Sequence, residues 1–374
     1  MSSRKPRICV LTARGFSHNA FMGGVYEGQD VLLEIDETEL IYLKPARAYQ
    51  LRQSIHERMV WRDFTRTLIL ANMAFEPIVL TKEYDLFVAY LPCFIASHLI
   101  QIAAVRNWKD YCKTSICWID EMYAVDIPKL KSWLPALMQF DHIVVGYSGT
   151  VSELAETLKR TCHCVPTGVD AIRFSPFPRP PDRVIDIYNM GRRSEGLHRA
   201  LLELAAKNNM FYVYDTFETS MAKISDYKQH REMLANVMKR SRCLLVSPAK
   251  AGSPEATKNQ IELGLRYYEG AAAGAVMLGQ TPHCATFNTM FDWHDAVVEI
   301  RPDGSNAAEV ISSLAGQPGR ILEISRRNAI EALLRHDWVY RWNQILKIVG
   351  MEPTPQLENR ENRLKRLAEQ AENS

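Results

Sequence analysis

The sequence predicts an α/β protein made of two doubly wound parallel-sheet domains, and three observations carry that expectation. The chain has 374 residues, too many for one ordinary core and close to two domains of common size. Short continuous apolar runs alternate with longer amphipathic segments, as strands buried on both faces alternate with the helices that cover them. The alternation halts at a proline-rich stretch, FSPFPRPPDR (174–183), and then restarts.

In the first half, RICVLTA (7–13), ELIYLK (39–44), YDLFVAYL (84–91), TSICWID (114–120) and HIVVGY (142–147) read as buried strands. The amphipathic segments 50–72, 93–108 and 150–160 fall between them, so right-handed βαβ units are expected. In the second half the strand candidates are RVIDIYNMG (183–191), MFYVYDT (210–216), RCLLVSPA (242–249), AVMLGQ (275–280) and AVVEIR (296–301). Helices are expected over 196–207, 226–240, 260–273 and 319–335. The predicted division is an N-terminal domain over 1–168, a connector over 169–182 and a second domain over 183–335. An aromatic-rich amphipathic helix within 336–352 can pack back on the N-terminal domain. The charged tail over 353–374 reads as a solvated helix or a frayed end.

Apolar content of 47% and charged content of 24% are ordinary globular values. A net charge of +2 lacks the strongly basic face of a duplex binder, so no nucleic-acid partner is expected. Arg14 interrupts the first apolar run too early for a signal peptide, and no run approaches the roughly 20 apolar residues of a membrane span. A cytoplasmic protein is expected, with basic and aromatic surface segments that allow peripheral membrane contact. Eight cysteines, at 9, 93, 112, 117, 162, 164, 243 and 284, form no Cys-x-x-Cys pair, which speaks against a disulfide framework or a zinc site.

Ligands of doubly wound sheets bind beyond the carboxyl ends of the strands, so residues just after each strand carry most weight, and a cleft between two such domains is a natural small-molecule site. NMGRRSEG (189–196) sets Gly191, Arg192 and Arg193 ahead of an expected helix start. Forked donors beside a positive helix end suit phosphate oxygens; two solvated arginines are the plain alternative. In RYYEGAAAGAVMLG (266–279), Glu269 suits a ribose, since its two oxygens can accept from two vicinal hydroxyls, although an ordinary helix glutamate has the same signature. The long loop SPAKAGSPEATKNQ (247–260) offers Lys250, Glu255 and Lys258 to a diphosphate or to water, and Lys258 is preferred because it lies nearer the next helix. Asp120 and Glu121 end a strand where a general base would be useful, and Asp120 could equally cap the following segment. After the first strand, RGFSHNAFMGG presents Arg14, Gly15, His18, Gly23 and Gly24 without a G-x-G-x-x-G fingerprint.

VPTGVDAIRFSP (165–176) closely resembles the interdomain signature of the GT-B glycosyltransferases, above all the retaining family 4 and its spore-coat CgeB-like relatives. FDHIVVGYSGTVSELAETL (140–158) is similar to the segment that precedes that signature. NMGRR resembles the family's phosphate-contact turn, and EGAAAG (269–274) matches the spacing of its ribose-binding motif. The resemblance runs in order across roughly 114–280. It implies a GT-B fold, two Rossmann-like domains facing across a cleft, and a hexosyltransferase-type enzyme acting in polysaccharide or glycoconjugate synthesis.

The roles it implies fall residue by residue. Arg192 or Arg193 contacts the donor diphosphate and Glu269 the ribose, with Gly191, Glu255, Lys258, Glu262 and Arg266 completing the donor side. Gly15, His18, Asp120 and Glu121 form the acceptor side, and Asp120, Arg192, Arg193 and Lys258 the catalytic set. No metal or other cofactor is expected, the nucleotide-sugar being a substrate. The sequence departs from the family at Ile261, where the first glutamate of the motif would stand with Glu262 one residue off, and in 194–201, where a lysine is absent. Asp120 stands where the family has a cleft histidine. The expected reaction is sugar transfer from a nucleoside diphosphate donor to an acceptor hydroxyl; the alternatives are a nucleotide-sugar epimerase and a binder without turnover.

Overall fold

The computed structural model describes residues 6–15, 17–46, 74–93, 96–131, 133–216 and 223–374. It divides into two compact units: Met1–Pro166 with Trp342–Leu357, and Thr167–Arg341 with Glu358–Ser374. The expected amphipathic segment 50–72 lies outside the described residues.

The first unit holds a parallel sheet of six strands, β1 (Ile8–Thr12), β2 (Thr38–Tyr42), β3 (Tyr84–Cys93), β4 (Cys112–Glu121), β5 (His142–Val145) and β6 (His163–Cys164), in the order β2-β1-β3-β4-β5-β6. Val10 stands opposite Leu40 on one side and Val88 on the other, and Cys117 opposite Ala89 and Ile143. Every residue of β1 is buried, which is why its sequence is a continuous apolar run and not an alternating one. Helices Gly23–Ile35, Ala96–Ala103 and Val151–Leu158 belong to this unit. Trp108 stacks between Phe87 and Phe140 with ring centroids 5.0 Å away on each side. Edge strand β6 has two residues and no apolar pattern, so the sequence did not announce it.

The second unit has five parallel strands, β7 (Ile185–Asn189), β8 (Tyr212–Tyr214), β9 (Ser241–Val246), β10 (Val276–Gly279) and β11 (Val298–Glu299), in the order β11-β10-β9-β7-β8. The expected helices appear as Glu195–Asn208, Tyr227–Lys239, Leu265–Ala272 and Pro318–Arg335. Helices Ala285–Met290 and Ala307–Ala315 were not expected. The helix predicted over 260–273 starts only at Leu265. Before it, the 247–264 loop folds on itself, the Glu262 carbonyl accepting from the Ala249 amide at 2.9 Å, and Gly264 enters the helix in an extended conformation.

Each sheet grows first to one side of its opening strand and then to the other. The order reverses between β1 and β3 in one unit and between β7 and β9 in the other, and such a reversal opens a crevice at the carboxyl ends of the two strands.

The stretch VPTGVDAIRFSP owes its composition to local packing. Within the first unit, the Trp118 indole donates to the Val165 carbonyl at 3.1 Å. Within the second, a Cβ on Gly168 would come 3.0 Å from the Trp338 ring, so a larger residue would displace that buried tryptophan. Val169 pairs with the backbone beside Asp337, donating to the His336 carbonyl and accepting from the Trp338 amide, each at 3.1 Å. Asp170 caps the short helix Ala171–Phe174, accepting from the Arg173 amide at 3.2 Å.

The tail is not frayed. It forms helix Pro355–Glu372, with Leu357, Arg360, Leu364, Ala368 and Ala371 buried; these positions recur at helical spacing and make one inward face amid a charged sequence. Arg360 donates Nε to Asp337 Oδ1 at 2.9 Å and Nη2 to Asp337 Oδ2 at 2.9 Å and Asp170 Oδ1 at 2.7 Å. The Asp337 carboxylate also receives the amides of Ala171 and Val339, both at 2.9 Å. Burial opposes the charge on Asp170, yet Arg360 and Arg173 hold its carboxyl below the ordinary range.

The preceding aromatic segment forms helix Trp338–Ile348. The Trp342 indole donates to the Gly28 carbonyl at 2.8 Å and meets Trp118 edge-on at 5.4 Å, all within the first unit. Arg360→Ala would take the guanidinium from buried Asp337 and leave buried Asp170 with Arg173. The expected loss is about 3–5 kcal/mol, read as a lower urea midpoint by tryptophan fluorescence; an unchanged midpoint would refute it.

Candidate functional site

The chain leaves β7 at Asn189 and turns at Gly191, whose φ of +91° lies in the left-handed region where glycine is at ease. The Gly191 amide donates to Asp215 Oδ2, a carboxylate just beyond β8. Arg193 donates to the Asp215 carbonyl at 2.7 Å, lies over the Tyr214 ring at 5.8 Å and has Nε 3.5 Å from Glu195. Arg192 is exposed. Helix Glu195–Asn208 begins directly afterwards, and its N-cap residue Ser194 does not cap it: the hydroxyl donates to the Pro302 carbonyl instead. The turn between β7 and this helix thus already presents an amide to an anionic oxygen and two guanidiniums nearby, the elements of an anion site.

Helix Leu265–Ala272 follows the 247–264 loop and carries Arg266 and Glu269 one turn apart. Glu269 has no exposure. One of its oxygens accepts from Arg231 and the other from Arg266. Burial alone would push this carboxyl up, but Arg266 and Arg231 outweigh it and hold it below its ordinary value. Arg231 comes from helix Tyr227–Lys239 and packs over Phe174 at 4.8 Å. Arg266 extends from Glu269 toward the β7 turn, its Nε 3.4 Å from the Met190 carbonyl. His230 lies beside this group, its imidazole held below the ordinary value first by burial and then by Arg231 and Arg266.

The structure therefore brings Gly191, Arg193 and Arg266 to the carboxyl end of β7. Glu269, expected at the ribose, is buried and gives one oxygen to each of two arginines, with a further acceptor position left on each oxygen. Glu262 is likewise buried, accepting from the Gln260 amide nitrogen at 2.7 Å. Glu255 and Lys258 are exposed in the loop, Lys258 in a left-handed conformation with φ of +48°. Asp215 and Arg231 were missed. Asp215 could have been found by the strand-end rule that singled out Asp120. Arg231 gives no such signal, because only packing against Glu269 distinguishes it from other helix arginines.

In the first unit, Asp120 and Glu121 end β4, whereas Gly15, with φ of +89°, and the exposed His18 follow β1. Strand β3 lies between β1 and β4. Burial pushes the Asp120 carboxyl up to about 8, the charge of Glu121 adds to the rise, and a hydrogen bond from Tyr90 opposes it. Tyr123 and Tyr147 meet edge to face at 5.1 Å beside these carboxylates. Arg14 is held in the fold by Gln29 at 3.0 Å and Asp30 at 2.8 Å. Among the described residues, no group of three or more His, Cys, Asp or Glu side chains is placed to hold a metal ion, and no helix is long and apolar enough to cross a membrane.

A family model described as "Glycosyl transferase-like" matches residues 193–347, a span that includes Arg193, Arg231, Arg266 and Glu269. No curated protein matches the chain by sequence. Among solved structures, an alpha-glucosyltransferase in complex with UDP-glucose and DNA containing an abasic site aligns with a TM-score of 0.56 and 13% identity, over 92% of this chain and 99% of that one. HepE of Anabaena, in complex with UDP and glucose, aligns with a TM-score of 0.52 and 10% identity, over 92% of this chain and 100% of that one. A glycosyltransferase from Rickettsia africae ESF-5 aligns with a TM-score of 0.51 and 11% identity, over 92% and 97%. At such identities the likeness concerns the fold, the paired parallel-sheet architecture called GT-B. Over residues 193–347 the chain is similar to glycosyl transferase-like proteins, and its fold as a whole is that of GT-B.

Proposed function

We propose that the chain transfers a sugar from a nucleoside diphosphate-sugar to an acceptor hydroxyl, with retention at the anomeric carbon and without a metal ion. The observation that carries this reading is the turn after β7. There the Gly191 amide holds a carboxylate oxygen while Arg193 and Arg266 hydrogen-bond the backbone of the same turn and its neighbour. A departing diphosphate gathers negative charge, and cations fixed before it forms stabilise that charge without reorganising. Arg192, Arg193, Arg266 and Lys258 take the part that a metal ion would otherwise take. The complexes of similar fold contain UDP or UDP-glucose, so UDP-sugars are the first donors to test.

Asp120, with Glu121, Gly15 and His18, is assigned to the acceptor side. A carboxyl that titrates near 8 can exchange a proton at neutral pH. One similar structure contains DNA, whereas the near-balanced charge of this chain favours an acceptor other than nucleic acid.

Replacing Arg192 and Arg193 together by alanine is expected to lower kcat/KM for the donor by about 10²–10³-fold, the scale of losing preorganised charge stabilisation. Circular dichroism should remain that of the wild type, and EDTA should leave wild-type turnover unchanged. Full activity in the double variant would refute the phosphate assignment, and loss of activity in EDTA the metal-independent one.

Asp120 also gives a stability prediction. Between the ordinary carboxyl value of 3.8 and about 8, the folded state keeps a proton that the unfolded state has lost. Stability therefore falls as pH rises through that window and levels off above it. Asp120→Asn should flatten the fall in urea titrations at pH 5, 7 and 9; parallel curves for the two proteins would show that Asp120 is not the group responsible.

A further inference from the structure

We propose that the Asp215 carboxylate occupies the position of a donor phosphate oxygen at the Gly191 amide and must withdraw before the diphosphate seats, so that Asp215 sets the donor affinity. The inference rests on the donor reading above and adds to it a residue that works against binding. Asp215 follows β8 directly, and Asn189 at the end of β7 stands opposite Tyr214, so the end of one strand lies beside the turn that leaves the other. The Gly191 amide donates to Asp215 Oδ2. A backbone amide carries one proton, so a phosphate oxygen takes it only by replacing that carboxylate. The space in front of the turn is open, since a Cβ on Gly191 would meet none of the described atoms within 4 Å.

The carboxylate is held by less than the turn can offer. Among the described residues no ion pair joins it to Arg192 or Arg193. Arg193 instead donates to the Asp215 backbone carbonyl at 2.7 Å and has Nε 3.5 Å from Glu195. A diphosphate has oxygens enough for the amide and both guanidiniums at once, and hydrogen bonds between ionised partners are the stronger kind. Asp215 is only half-buried, so its charge returns to water on release and leaves no unpaired ion in the interior. The exchange still breaks one charge-assisted bond and leaves a like charge beside the bound diphosphate, and both effects weaken the donor.

The test is calorimetric titration of inorganic pyrophosphate, UDP and uridine into the wild type, Asp215→Asn and Asp215→Ala. Both substitutions keep the backbone carbonyl that Arg193 bonds, and asparagine keeps the shape of the side chain without its charge. Pyrophosphate and UDP are expected to bind each variant about tenfold more tightly, the scale of one charge-assisted hydrogen bond that no longer has to be broken. Uridine, which has no phosphate, should bind as it does to the wild type. If Asp215→Ala loses the wild-type circular dichroism, Asp215→Asn carries the test. Unchanged or weaker pyrophosphate binding by Asp215→Asn, or an equal gain for uridine, would overturn the proposal and make Asp215 a support of the turn. The donor reading survives that result where Arg193→Ala weakens UDP binding. A wild type that binds neither UDP nor pyrophosphate, with the variants no better, would overturn the donor reading, and this inference with it.

Discussion

The second unit depends on a buried guanidinium shared by two carboxylates. Arg360 joins Asp170, at the start of the chain's second half, to Asp337, at the end of the last core helix. A lone buried ion of either sign would cost several kcal/mol. Here the two aspartates also accept backbone amides from Ala171, Arg173 and Val339, so each charge is satisfied from several directions. The arrangement fixes which residues can stand in the stretch: Asp170 must cap and pair, Gly168 must clear the Trp338 ring, and Val169 must bridge to the backbone at Asp337.

The same device recurs nearer the site with the charges reversed. Glu269 is one carboxylate between two guanidiniums, where Arg360 is one guanidinium between two carboxylates. The first cluster is closed and serves the fold. The second is closed on the Arg231 side and open on the Arg266 side, so that part of its charge is delivered to the turn at Met190 and Gly191. Asp120 of the first unit follows another logic. Among the described residues no cation offsets its burial, which pushes its carboxyl up to about 8. One chain thereby keeps one buried carboxylate charged through its arginines and favours the protonated form of another chiefly through burial.

Much of the architecture was legible because buried parallel strands leave continuous apolar runs. All five strands expected in each half are present within a few residues of their predicted bounds. Strand β6 escaped because a two-residue edge strand has no pattern to read, and the helix at 260–273 was begun too early because loop 247–264 satisfies its own backbone. The charged C-terminal helix was underestimated: its buried face consists of widely spaced residues in a polar sequence, and one of them is an arginine that only its partners make a core residue.

The sequence by itself determined the αβ alternation and the strand-end residues Gly191, Arg193 and Asp120, because these depend on local pattern and chain order. Only the tertiary structure decided which charges meet. Glu269 reads as a free helix glutamate until Arg231 arrives from another helix and Arg266 closes the other side. Arg360 reads as a solvated tail residue until Asp170 and Asp337, 190 and 23 residues away along the chain, converge on it. Electrostatic roles are set by distance and burial, and neither is a property of neighbours in sequence.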